Sequence, residues 1–120
     1  MKDRGWGRVI STSSEQAFKG GAGFTDYAAA KSGLLGFTRS LALEVAPFGI
    51  TVNAICPGVI RTGITDSMPQ DRIQESLSGI PIGRLGTPEE IAHAVSFFAS
   101  PGASYVTGEH LLAAGGRTLH

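Results

Sequence analysis

The sequence predicts an α/β fold: a parallel sheet with helices on both faces. Two observations carry that expectation. Segments of strand and helix character alternate along the chain in the order strand, helix, strand, helix, strand. Such connections imply parallel pairing through crossovers that are right-handed by rule. The middle strand, Ile50-Thr51-Val52-Asn53-Ala54-Ile55-Cys56, is almost continuously apolar or β-branched, as in a strand covered on both sides.

Each element has its own warrant. Residues 7–13 hold the β-branched run around Val9 and Ile10 and read as the first strand. Residues 14–24, with Gly20, Gly21 and Gly23, read as a loop. The serine segment stands between the strand and these glycines, so they read as a flexible substrate-side loop and not a phosphate cradle. A helix follows over 25–46, with Thr25 or Asp26 placed to cap it. Its apolar residues, among them Leu34, Leu35, Phe37, Leu41, Leu43 and Val45, spread over much of the circumference. That spread predicts more than one covered face. Gly33 and Gly36 leave room for another helix, and Pro47 and Gly49 end the run. The second strand, 50–56, stops at Pro57-Gly58, and residues 57–65 read as turn and loop. Residues 66–78 are polar and weakly periodic, consistent with a short helix. Thr87-Pro88-Glu89-Glu90 is a capping box with proline at the first helical position. Ile91, Val95 and Phe98 continue it as one stripe, and Ser100-Pro101-Gly102 stops it. Residues 109–114 form the last strand, before Gly115-Gly116.

Bulk properties exclude several functions. A chain of 120 residues is one domain at most. Ten basic and ten acidic residues cancel, with no basic stripe for nucleic acid and no polybasic cluster for a membrane surface. No apolar run reaches spanning length. No apolar segment follows the charged start Met1-Lys2-Asp3-Arg4, so no secretory signal is read. The lone Cys56 excludes an internal disulfide and reads as a small buried residue, in keeping with a cytoplasmic protein. His93, His110 and His120 lack metal-ligand spacing, and no metal is expected.

The chemistry centres on Tyr27-Ala28-Ala29-Ala30-Lys31. On a helix, residues four apart lie one turn apart on one face. A free phenol titrates near ~10 and is a poor acid or base at neutral pH. A cation about 4 Å away, at an effective dielectric of about 20, is worth up to about 4 kcal/mol, enough to bring a phenol into range for proton transfer. Alone the spacing reads as a surface pair. Its context differs: Ser14 stands thirteen residues earlier at a strand end, and Pro57-Gly58 closes the next strand after Val52-Asn53.

The combined order of Ser14, Tyr27-x-x-x-Lys31 and Val52-Asn53-x-x-x-Pro57-Gly58 resembles the short-chain dehydrogenase/reductase family over essentially the whole chain, most of all its 3-oxoacyl carrier-protein reductase-like members and its sugar or steroid dehydrogenases, among which the sequence does not choose. The resemblance implies a partial Rossmann-like sheet formed by the last three strands of the family fold. Residues 1–120 would then be the carboxyl-terminal half of a single NAD(P)-binding Rossmann domain. It implies interconversion of an alcohol and a carbonyl by hydride transfer, with NAD or NADP as cofactor. Tyr27 would move the proton, Lys31 would lower its pKa and bond the nicotinamide ribose, and Ser14 would hold the substrate oxygen. Pro57, Gly58, Ile60 and Thr62 would line the nicotinamide, with Tyr27 and Lys31 also touching the cofactor. Arg84, Gly86 and residues 88–92 match a structural pattern, and residues 63–82 match the variable region over the substrate. The family's glycine-rich dinucleotide loop, the residue that selects NAD or NADP, and a catalytic asparagine have no counterpart here. The alternative is therefore a catalytically inactive association module. The 25–46 helix and the terminal strand are the parts relatives use in subunit contacts, and a homo-oligomer is expected.

Overall fold

The structure is a computed structural model and describes residues 1–119; His120 lies outside them. Strands β1 (Gly7–Thr12), β2 (Ile50–Pro57) and β3 (His110–Ala113) form one parallel sheet in the order β1-β2-β3. Helices α1 (Gln16–Lys19) and α2 (Thr25–Val45) join β1 to β2. Helices α3 (Gly63–Asp66), α4 (Gln70–Ser78) and α5 (Pro88–Ala99) lie between β2 and β3. Gly7 stands opposite Ile50, and Ala54 opposite His110.

The apolar run of β2 is the centre of the core. Val52, Ala54, Ile55 and Cys56 are fully buried. Successive side chains on a strand point to opposite faces. Ile50 and Val52 meet Ala42 and Val45 of α2, and Ala54 and Cys56 meet Leu35 of α2 with Ala17 and Phe18 of α1. Thr51, Asn53 and Ile55 therefore face the other way. Arg8, paired in register with Thr51, reaches the Ser100 carbonyl just beyond α5 at 3.4 Å. That contact puts α5 on the second face, so the sheet carries helices on both faces as the sequence predicts.

The same layout corrects the expected handedness. Two crossovers that step the same way across a parallel sheet, with helices on opposite faces, have opposite hands. The right-handed rule therefore holds for only one of them. It describes compact strand–helix–strand units, whereas the β2–β3 connection spans residues 58–109 and includes two further helices.

Four local expectations also change. Residues 14–24 contain α1, a single turn packed onto Cys56. The N-cap of α2 is Phe24, which makes no side-chain cap bond, and Thr25 is already helical. α2 buries only the stripe Leu35, Thr38, Ala42 and Val45, while Phe37 and Leu43 are exposed and Gly33 and Gly36 face open space. One face of that helix is covered, because among the described residues no element lies outside it. Last, the loop over 57–65 gives way to α3, which starts at Gly63. The Thr65 hydroxyl holds that turn, accepting from Thr62 N–H at 2.7 Å and donating to the Thr62 carbonyl at 2.8 Å.

The start of α5 follows the sequence. Thr87 Oγ1 accepts from Glu90 N–H at 3.2 Å, and a Glu90 carboxylate oxygen accepts from Thr87 N–H at 2.9 Å. Asn53 secures backbone, donating to the Val106 carbonyl at 2.9 Å and accepting from Glu109 N–H at 3.1 Å.

Candidate active site

Parallel strands end at one edge of a sheet, which is where α/β folds gather their chemistry. Ser14 follows β1 there, and Pro57-Gly58 closes β2. Ser13 N–H donates to the Ile55 carbonyl at 2.8 Å, and Glu15 N–H to the Pro57 carbonyl at 2.9 Å. The residues flanking Ser14 thus carry the ladder past β1 and pin the serine beside the Pro57 turn. Ser14 is buried, and its Oγ accepts from Gln16 N–H at 3.2 Å. The hydroxyl keeps its own proton to donate.

α2 brings the other two groups. Lys31 Nζ donates to the Thr12 carbonyl at 2.8 Å and lies 5.6 Å from the Tyr27 ring centroid. That separation allows a cation–π contact. Ser13 Oγ donates to the Lys31 carbonyl at 2.7 Å, and Ser32 Oγ to the Ala17 carbonyl at 3.1 Å. Three hydrogen bonds therefore lock the second turn of α2 to the end of β1 and to α1. Tyr27 stands one turn earlier, 42% exposed, with the Phe24 ring edge-on at 6.2 Å. Among the described residues, no hydrogen bond joins the Ser14 hydroxyl, the Tyr27 hydroxyl and the Lys31 ammonium to one another.

The turn after β2 is tightly held. Gly58 N–H donates to the Ala113 carbonyl at 2.9 Å, and a Cβ on Gly58 would lie 2.8 Å from the Ala114 Cα. Only glycine fits that approach. Ile60 pairs with Gly86 in a parallel bridge. Gly86 N–H donates to the Val59 carbonyl at 3.1 Å, and Arg61 N–H to the Gly86 carbonyl at 2.9 Å. Thr62 is exposed at the entrance to α3. A cavity of about 180 Å³ lies behind this turn, walled by Ile60, Ile80, Ile82 and Ile91. It does not reach Ser14, Tyr27 or Lys31, which stand at an open edge.

One charged group near this edge, Glu15, has no simple sequence signal. Glu15 is 97% buried, 3% being exposed, and binds Arg117 and Thr118, which lie 102 and 103 residues away. No spacing rule reaches across such a distance. Arg84 and Glu90 form a bidentate pair, at 2.9 and 2.6 Å. The Arg84 guanidinium, with the Thr87 N–H behind it, holds the Glu90 carboxyl down to about 2. Burial pushes the Cys56 thiol up, partly offset by the Ser13 hydroxyl and the Ser14 backbone. A buried, protonated thiol is inert. Among the described residues, no group of three His, Cys, Asp or Glu side chains could hold a metal ion, and no helix is long and apolar enough to cross a membrane.

Comparison with known proteins places this arrangement. The family described as Enoyl-(Acyl carrier protein) reductase matches residues 1–118. The chain belongs to the short-chain dehydrogenase/reductase family. Among its relatives, 3-oxoacyl-[acyl-carrier-protein] reductase FabG of Vibrio harveyi is 52% identical over 97% of this chain and 47% of its own length. Nodulation protein G of Azospirillum brasilense is 50% identical over the same shares. Acetoacetyl-CoA reductase of Rhizobium meliloti is 48% identical over 98% of this chain and 49% of its own length. The chain thus spans about half the length of these curated members of the reductase family.

Proposed function

We propose that residues 1–120 supply the carboxyl-terminal half of a single NAD(P)-binding Rossmann domain, in an oxidoreductase that interconverts an alcohol and a carbonyl. The substrate class is a 3-oxoacyl thioester, suggested by the names of the relatives above. One observation carries the reading: Lys31, bonded to the end of β1, sits against the Tyr27 ring at the edge where Ser14 is pinned. Ser14 donates its free O–H to the substrate oxygen. Tyr27 gives or takes the proton at that same oxygen. Both hydroxyls then serve as donors to the charge developing on that oxygen.

The residues at the β2 turn suit a nicotinamide. Gly58 lets the turn close against Ala114, the bridged Ile60 backbone is fixed, and Thr62 is exposed. Among the described residues, the Lys31 ammonium uses one of its three donors on protein, which leaves two for a ribose. NAD or NADP, when bound, supplies the hydride. No described strand of this chain runs through a glycine-rich loop straight into a helix, the arrangement that holds a pyrophosphate. The other half of the domain must provide it. A reducing, cytoplasmic setting suits the buried thiol of Cys56.

A second reading, an association module without turnover, draws on the exposed Phe37 and Leu43 of α2 and Leu111 of β3. A homo-oligomer through these elements fits both readings. A chimera separates them: the amino-terminal half of the Vibrio harveyi reductase joined ahead of residue 1. It should oxidise NADPH or NADH in the presence of acetoacetyl-CoA, and Tyr27→Phe should lower kcat by a thousandfold or more while leaving cofactor affinity within a few-fold. A folded, cofactor-binding chimera without turnover, or a Tyr27→Phe form with full turnover, would refute the enzymatic reading.

A further inference from the structure

Glu15 sits between Ser14 and α1, almost wholly buried. Its Oε1 accepts from Arg117 Nη1 at 2.7 Å and lies 3.4 Å from Lys19 Nζ. Its Oε2 accepts from the Thr118 hydroxyl at 2.9 Å. A buried carboxylate tolerates its position only while its partners hold. The partners come from the segment after β3, and that segment has a second attachment. Gly115 accepts from Ile82 N–H at 3.2 Å, and the Arg117 side chain runs beside Gly79 at the end of α4. Residues 114–118 therefore bridge the base of the region over the substrate edge to the loop that holds Ser14.

We infer that residues 114–118 act as a strap, that Glu15 is its clasp, and that the clasp sets the position of Ser14. Glu15 is a positioning residue: its N–H fixes the Pro57 carbonyl and its carboxylate fixes the strap. Release of the carboxylate frees residues 13–18 from above. Cys56 lies directly beneath them, fully buried against Ala17 and Phe18, and its thiol reports whether the segment is seated. The seating of Ser14 matters to turnover only if the proposed proton-transfer reading holds, so the experiment has two independent parts.

The first part needs no catalysis. Labelling of Cys56 by a disulfide reagent is followed in the 120-residue chain at urea concentrations well below unfolding. Glu15→Gln and Arg117→Met should each raise the labelling rate tenfold or more. The double variant should be no faster than the faster single one, because both break one clasp. Arg117→Lys should restore protection to within a few-fold. Thr118→Val, a milder change, should give an intermediate rate and serves if Glu15→Gln does not fold. Unchanged labelling, additive effects, or labelling that only tracks global unfolding by circular dichroism would overturn the clasp. The second part uses the turnover-competent chimera. Glu15→Gln should lower kcat tenfold or more with the KM for cofactor unchanged, and Arg117→Lys should retain most of it. If Tyr27→Phe abolishes turnover but Glu15→Gln leaves kcat intact, the positioning role falls and the enzymatic reading stands. If Tyr27→Phe has no effect, the enzymatic reading falls and the labelling data alone decide on the clasp.

Discussion

At the residue scale, the candidate site is a set of side chains placed by backbone hydrogen bonds. Ser14 is placed by ladder bonds from its neighbours, and Lys31 by the carbonyl at the end of β1. The pattern Tyr27-x-x-x-Lys31 was legible because helical spacing is local, and so was Ser14, because it ends an apolar strand. Glu15 was illegible: its partners are distant in sequence, and an acid beside serines reads as solvated. Gly58 shows how a motif residue can be structural as well. Adding its Cβ would press on the Ala114 backbone at 2.8 Å, and backbone does not yield as a flexible side chain would. Overpacking of this kind destabilises by about 1–3 kcal/mol. Gly58→Ala should therefore lower the urea midpoint by a corresponding amount, and an unchanged midpoint would show that the β2 and β3 ends slide apart freely.

At the element scale, long periodic segments and capped starts were readable. β2, the body of α2 and the Thr87-Pro88 start of α5 all follow local rules. α1 was not readable, because four residues carry no periodicity and the turn is held by its packing on Cys56. The cap of α2 was misplaced by the same logic. Phe24 takes that position, where its N–H donates to the Gly21 carbonyl at 3.0 Å and its ring meets Tyr27. The covered faces of α2 were overestimated, since apolar residues around a helix record every surface it can meet and not only those in this chain. At α5 the cap carries a pH signature. Glu90 is exposed, but the Arg84 guanidinium and the Thr87 N–H lower its carboxyl to about 2. A depressed carboxyl contributes its stability in full above its unfolded value and loses it as pH falls toward the folded one. The loss should fall between about pH 4.5 and pH 2. Glu90→Gln should flatten the acid side of the stability profile in that window and change the midpoint little on further acidification. An acid limb identical to that of the unchanged protein would mean that the pair is fully screened by solvent.

At the scale of the whole molecule, the chain covers itself poorly. It exposes 7211 Å², where a compact monomer of 12.4 kDa would expose about 6,100 Å². Its radius of gyration is 15.7 Å, against about 13.6 Å for a compact domain of this length. The excess has identifiable sources. Among the described residues β1 pairs only with β2, so one edge of the sheet presents unpaired backbone groups, a template for another strand. The outer face of α2 shows Phe37 half exposed and Leu43 at 82%. Exposed apolar side chains of this size add to an interaction face or an aggregation liability. The isolated chain should therefore self-associate at tens of micromolar, with a weight-average mass in sedimentation equilibrium above the monomer value that falls on dilution. Two surfaces compete as the cause, and substitutions tell them apart. Phe37→Glu with Leu43→Glu should restore most of the monomer if the helix face drives association, and should do little if the β1 edge does. In the second case, proline at Ile10, whose N–H lies in β1, should weaken association, because a strand that cannot donate pairs poorly. A chain that remains monomeric at a hundred micromolar, with neither change made, would show that the exposed edge and face are self-sufficient in water.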